Sequence, residues 1–191
     1  MILKFKMKYF YYCLLLIGTI SCISDVDFDQ STDVIIEPVT EISLVYLDVE
    51  ASRFVDNGVE IQFVSDVVDN IEIFTNEVVV DYLIKADLFF EVTNQIDRQF
   101  EVTTLFLDEN DQLLRASQFS IDPESTITSQ PLLFTIEFDE NNITSLVETK
   151  TIRFQFELLP SNDGSTLTDN DTDLISLQSK GVFYFRATTT E

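Results

Sequence analysis

The sequence predicts an all-β protein: an antiparallel two-sheet β-sandwich of about nine strands, immunoglobulin-like in general form. Three observations predict it. Past Pro38, apolar and polar residues alternate over several segments; turn-forming residues separate those segments; and only one short stretch has helical character. Alternation puts one face of a strand against a core and the other in water. With so little helix available to cover a sheet, the second layer has to be another sheet. The likeness to immunoglobulin domains stops at this general form, because the chain has no tryptophan and, past residue 22, no cysteine to make a disulfide.

Residues 1–21 read as a signal peptide. Lys4, Lys6 and Lys8 form a positive start, "YFYYCLLLIGTI" an apolar stretch, and Thr19, Ile20 and Ser21 the residues before a cleavage point. Twelve helical residues rise only about 18 Å against a hydrocarbon core of about 30 Å, too short for a permanent span. The segment "GTISC" resembles the lipobox of bacterial lipoproteins. That resemblance implies cleavage before Cys22 and acylation of its sulfur and new amino end. Thr19 stands where Leu or Val is usual, and Thr19 with Ser21 also fits an ordinary signal peptidase site, which would leave Cys22 as a free thiol. Cys13 lies in the apolar stretch and is discarded under either reading.

Residues 22–38 read as a lipidated acidic tether, "ISDVDFDQSTDVIIEP" following Cys22. Several acyl chains, each buried CH₂ worth about 0.8 kcal/mol, would hold the protein on a bilayer. A self-repelling charged spacer would carry the folded part away from it. By the same resemblance, Ile23 in place of aspartate implies the bacterial outer membrane, on its periplasmic or its cell-surface side. The acidic run resembles signals that send some lipoproteins to the surface, and also reads as a plain linker.

Residues 39–191 read as the sandwich domain. Ile84, Ala86, Leu88, Phe90 and Val92 are expected to face the core, with Lys85, Asp87, Glu91 and Thr93 opposite beside Phe89. Leu132, Phe134, Ile136 and Phe138 form a second such row, and Ile152, Phe154, Phe156 and Leu158 a third. Further strands are expected at Ile42–Val49, Val59–Val64, Ile71–Thr75, Phe100–Leu107, Leu113–Ile121 and Val182–Ala187. Asn57-Gly58 suits a type I′ hairpin, and "DENDQ", 108–112, a second hairpin. Pro160 ends a strand by removing a ladder donor. Residues 139–149 could form about two turns of helix.

Charge and missing residue types narrow the function classes. Every acidic residue follows Cys22 and three of the eleven basic ones precede it, leaving 34 acids against 8 bases. Such a surplus repels phosphate backbones, so no nucleic-acid partner is expected. Fifteen phenylalanines after residue 21 argue for a packed core despite the acidity. The chain has no histidine, which removes histidine-based catalysis and histidine-ligated metals. Only Gly58, Gly164 and Gly181 remain past the signal, too few for a P-loop or dinucleotide fingerprint. No catalytic residues and no enzymatic activity are expected.

One constellation carries possible chemistry. Asp169, Asp171 and Asp173 alternate in "TDNDTD", as in the first half of a calcium-binding loop, whereas Leu174 and Lys180 stand where the invariant glycine and bidentate glutamate should be. A calcium site here and a solvated acidic loop are the two readings, and no other cofactor is expected. Arg98 could be a contact residue or part of a structural ion pair. Two functions follow as expectations. The first is a non-catalytic structural or protein-interaction module, held on the membrane by its lipid and meeting an unknown envelope protein. The alternative is a surface protein that binds a glycan or divalent cation.

Overall fold

The computed structural model describes residues 35–69, 71–123 and 131–188. The expected signal peptide, Cys22 and most of the expected tether lie outside the described residues. The compact unit runs from Ile36 to Ala187. In chain order its strands are β1 (Ile35–Ile36), β2 (Val39–Glu50), β3 (Val55–Asp56), β4 (Val59–Glu60), β5 (Phe63–Asp69), β6 (Leu83–Asn94), β7 (Phe100–Leu107), β8 (Leu113–Ile121), β9 (Leu132–Phe138), β10 (Thr151–Leu158), β11 (Leu174–Phe185) and β12 (Ala187–Thr188). The short helices are α1 (Glu72–Thr75), α2 (Glu77–Tyr82) and α3 (Ile143–Val147).

Eight strands build the two layers, close to the nine expected. One sheet has the order β5-β10-β7-β8 and the other β2-β11-β6-β9, with every neighbouring pair antiparallel. The expected two-sheet sandwich is therefore the observed architecture. Its connectivity goes beyond the immunoglobulin-like general form. β2 pairs with β11, β5 with β10, β6 with β9 and β7 with β8, so the chain is one long antiparallel ribbon closed at the β7–β8 turn. Successive pairs of the ribbon fall in alternate sheets. That nesting is the eight-stranded jelly roll.

Phenylalanine fills the space between the sheets. Phe54, Phe74, Phe90, Phe100, Phe106, Phe138, Phe154, Phe156 and Phe183 are fully buried, each worth about 1.5–3 kcal/mol of transfer free energy. Rings meet across the layers: Phe90 lies edge-on to Phe154 with centroids 6.0 Å apart, and Phe106 edge-on to Phe138 at 5.2 Å. These pairs hold because the alternation holds at the ring positions. It departs from expectation at Ile84, where a register shift against β11 buries Leu83 instead, at Asp87, which is buried although on the polar side, and at Leu132, which is exposed at the start of β9. Ala86, Leu88, Phe90 and Val92 are buried from β6, and Ile152, Phe154, Phe156 and Leu158 from β10.

The turns follow their residues. Asn57 and Gly58 both take positive φ, 53° and 76°, as the hairpin between β3 and β4 requires. The Asp108 carboxylate accepts from the amides of Asn110 and Gln112, each at 2.8 Å, and shapes the β7–β8 turn. Pro160 lies just past the end of β10, as expected.

Three expected elements differ. Ile71–Thr75 is not a strand: Glu72–Thr75 is a helical turn, and Asn76 caps α2 by accepting from the Val78 amide at 2.9 Å. Here the chain leaves one sheet for the other, and burial of Phe74 and Val79 overrides the strand preference of its valines. The strand expected at Val59–Val64 divides into β4 and β5, and β5 continues to Asp69. The last strand begins at Leu174 rather than Val182, because Ser179 and Gly181 occupy inward positions that an apolar pattern does not reveal. At Ser179 the ladder shifts register against β2, and the Ser179 hydroxyl accepts from the Val45 amide at 3.2 Å. At Gly181 a Cβ would stand 2.5 Å from Phe183 Cε2 and 3.1 Å from Leu44 Cδ1.

One end of the sandwich is tied by Arg98, which is buried. Its guanidinium donates to Glu60 at 2.7 Å and to the Leu159 carbonyl at 2.8 Å, while the Leu167 amide donates to the same Glu60 oxygen at 2.6 Å. The β3–β4 hairpin, the loop after β6 and the long loop before β11 are thus joined through one side chain. Partial burial alone would raise the Glu60 pKa, but the bonds from Arg98 and Leu167 and the charge of Arg98 outweigh it and hold that carboxyl below its ordinary value.

Gly181→Val should lower the urea midpoint at unchanged slope, by a stability loss of about 1–3 kcal/mol from overpacking against Phe183. Arg98→Met should cost on the order of 3 kcal/mol, since it removes the partner of the Glu60 carboxylate and of the Leu159 and Ser165 carbonyls. Because the folded pKa of Glu60 is depressed, its contribution is fully present above the ordinary value of 4.5 and fades as pH falls through the folded value. Wild type should therefore exceed Glu60→Gln in stability at pH 7, and the gap should narrow steadily below pH 4.5 in urea titrations.

Candidate functional site

The outer face of the sheet β2-β11-β6-β9 carries a hollow of about 510 Å³. Register builds it. Ser43, Lys180, Phe89 and Thr135 lie directly across from one another on the four strands, and in the next row so do Tyr46, Gln178, Glu91 and Leu133. All eight belong to the outward alternation, since their neighbours Phe90, Ile136, Leu177 and Val45 are buried on the other side. Small side chains at Ser43 and Thr135 leave room beside the Phe89 ring.

Phe89, Phe90, Leu133 and Phe134 give the hollow an apolar side, polar residues such as Ser43, Gln178, Glu91 and Lys180 complete the lining, and Tyr46 stands beside it in the second row. Leu133 is 71 % exposed and Tyr46 69 %, with Phe89 also open to solvent. Lys180 stands 5.7 Å from the centre of the Phe89 ring and donates to Glu41 at 2.8 Å. In the row beyond, Glu41, Val182, Asp87 and Glu137 are aligned, and Asp87 accepts from Lys85 at 2.9 Å. That hydrogen bond, together with the charges of Asp87, Tyr184 and Glu137, raises the Lys85 pKa. Asp48 accepts from Ser176 and Tyr46. Both lysines on this face are therefore committed to carboxylates, and Glu91 and Glu137 have no ion pair among the described residues. The hollow can hold an apolar group and surround it with negative charge; it offers no anion a free cation.

The residues singled out in the sequence lie elsewhere. Cys22 is outside the described residues. Asp169, Asp171 and Asp173 occupy the loop before β11, but are not drawn together: the Asp171 carboxylate accepts from the Thr168 amide at 2.7 Å in its own turn, and the Asp173 carbonyl accepts from the Ala51 amide at 2.8 Å. Among the described residues no three Asp, Glu or Cys side chains converge where they could hold a metal ion. In the same loop Asp163 accepts from Ser161 and Ser165, which hold its carboxyl well below the usual carboxylate range. Arg98 is the buried tie described above and not an exposed contact.

Sequence reasoning placed Phe89 on the polar side of its strand and stopped there. Leu133 went unremarked. The available signal was a break in alternation, since Leu88-Phe89-Phe90 and Leu132-Leu133-Phe134 each put an apolar residue at an outward position.

No protein-family model matches the chain, and no curated protein matches it. Among solved structures it is similar to one titled "putative secreted protein" from Parabacteroides distasonis, at 17 % identity and a TM-score of 0.45, over 62 % of this chain and 36 % of that one. It is also similar to the VP2 subviral particle of infectious bursal disease virus, at 11 % identity and 0.40, over 78 % and 32 %. The structure of turnip yellow mosaic virus gives 9 % identity and 0.32, over 82 % and 84 %. The chain thus spans about a third of the length of the first two. At this distance the similarity transfers no activity, ligand or partner.

Proposed function

We propose that this chain is a non-catalytic protein-interaction module of a bacterial envelope, lipid-anchored at Cys22 and spaced from the bilayer by its acidic tether. The observation that carries the interaction reading is the hollow around Phe89 and Leu133. It is a partly apolar depression on the outward face of a sheet, in a strongly acidic chain. A protein with 34 acidic residues has ample means to keep its sheet faces polar, so exposed Leu133, Tyr46 and Phe89 in adjacent rows favour a surface meant to be covered. The membrane anchor rests on the lipobox-like segment alone.

One specific feature favours a second reading. The Phe89 ring has hydroxyl, amide and carboxylate neighbours in Ser43, Gln178, Glu91 and Thr135, a set that suits the apolar face and hydroxyls of a sugar. Reproducible hits on a glycan array, abolished by Phe89→Ser, would put that reading first.

Photo-crosslinking decides the interaction reading. A benzophenone side chain at position 133 should give one discrete adduct in intact cells, and the same group at position 113, exposed on the other sheet, should give none. Equal labelling at both positions, or none at either, would remove the interaction reading. For the anchor, the wild-type chain should partition into the detergent phase of a Triton X-114 extraction and Cys22→Ser into the aqueous phase. An unmodified amino end in the mass spectrum of the wild-type protein would overturn that part.

A further inference from the structure

Resting on the interaction reading, we infer that the partner surface at the Phe89–Leu133 hollow is an extended cationic polypeptide segment. One of its apolar side chains would be seated between Phe89 and Leu133, and its Lys or Arg residues would meet Glu91 and Glu137.

Charge complementarity carries this. Six carboxylates share the outward face of this sheet, from Glu41, Asp48, Glu50, Asp87, Glu91 and Glu137, against two lysines. Each lysine is already held by one of those carboxylates, Lys180 by Glu41 and Lys85 by Asp87. An approaching anionic group would therefore find no free lysine to pair with and four carboxylates to repel it. A cationic group finds Glu91 and Glu137 without ion pairs on either side of the hollow. Glu91 and Leu133 are directly opposed across the β6–β9 ladder, and Glu137 lies on the same outward row as Leu133, two outward positions along β9. A single extended segment with basic and apolar residues in alternation could therefore span the apolar seat and both acids.

The location fits a strand-like occupant. β9 is the edge of its sheet, so a segment beside it has backbone groups to pair with as well as the side chains of the hollow. At the Glu137 end the edge is already closed on the main chain, because Arg115 donates to the Glu137 carbonyl at 2.8 Å. Among the described residues the uncovered part of the edge is its first half, where Leu132 and Leu133 are exposed. That is the half bordering the hollow.

The test uses the mature chain from residue 22 with Cys22→Ser, isotope-labelled, and four synthetic eight-residue peptides: alternating Lys-Val, Glu-Val, Lys-Ser and Ser-Val. In low salt the Lys-Val peptide should bind at least tenfold more tightly than the other three. Its affinity should fall as salt is raised, and its resonance shifts should gather at residues 89–91, 133–135 and 178–180. Leu133→Ser, at an exposed position that leaves the fold intact, should weaken binding about tenfold; Glu91→Gln with Glu137→Gln should do the same and flatten the salt dependence. Equal binding of Lys-Ser and Lys-Val, indifferent to Leu133→Ser, would mean diffuse ionic attraction and overturn the inference. Equal binding of Ser-Val and Lys-Val at the hollow would overturn the cationic partner and leave the interaction reading standing. Shifts at the hollow caused by an oligosaccharide panel and by no peptide would overturn both, as would shifts already present there that vanish when residues 22–34 are removed, since the occupant would then be the chain's own tether.

Discussion

The packing of phenylalanine rings between two sheets is the interaction on which everything else in this molecule depends. Phe90 stacks on Phe134 with centroids 4.7 Å apart, and Phe134 meets Phe119 from the opposite sheet. Phe54 and Phe100 pair at 5.1 Å. Each ring fixes which side of its strand is inward, and because side chains alternate with a period of two, it fixes the outward side as well. A slip of one residue in β6 would turn Phe90 outward and carry Phe89 into the core. The outer hollow exists because the inner rings allow no such slip.

That core also has to oppose a large electrostatic load. A formal charge of −23 for the whole chain favours expansion, and few cations are available to relieve it. Most of those on the described surface are spent locally, Lys150 being without an ion pair. Arg53 holds Asp66, Arg186 holds Glu37 and Lys180 holds Glu41, while the Arg115 guanidinium lies 4.3 Å from the Phe138 ring centre. Exposed pairs of this kind contribute about 0–1 kcal/mol each, so they organise the surface more than they stabilise it. With most of these cations already paired, the excess of carboxylates on the surface is left largely without compensating charge.

Much of the fold could be read from the sequence where inward residues are large and turns are explicit. Strands at Phe100–Leu107 and Leu113–Ile121 agree residue for residue with expectation, because alternation runs to within a residue of a turn whose Asp108 caps two amides, the ladder shifting register only between Phe106 and Leu107. The reading failed where a neighbour decides an inward residue. Ser179 is buried because it takes a hydrogen bond from Val45, and Gly181 because the Phe183 ring occupies the space of its absent side chain. Neither reason is local, so the first half of β11 looked like loop. Helices α1 and α2 failed likewise, since nothing in "EIFTNEVVVDY" says that the chain must cross between sheets there. The hollow was less legible still. Its two rows join residues from positions 43 to 180, and only the jelly-roll nesting makes them neighbours.

The same nesting bears on why recognition belongs on a sheet face and not on the loops. In many sandwiches the loops at one end are free to vary and carry the contacts. Here three connections at one end meet on Arg98, whose bonds to Glu60 and Leu159, with the Leu167 amide on the same carboxylate, tie them together. A loop fastened through a buried ion pair cannot reshape itself around a partner without breaking that pair, at a cost of several kcal/mol. The outward face of β2-β11-β6-β9 has no such obligation. Phe89 and Glu91 stand on β6, which has a ladder on each side, and Leu133 on the edge strand β9 is held by its ladder to β6, so the three are placed before any partner arrives and less conformational entropy remains to be lost when one does. A flat, preorganised and negatively charged surface with one apolar depression is the part of this molecule best suited to binding.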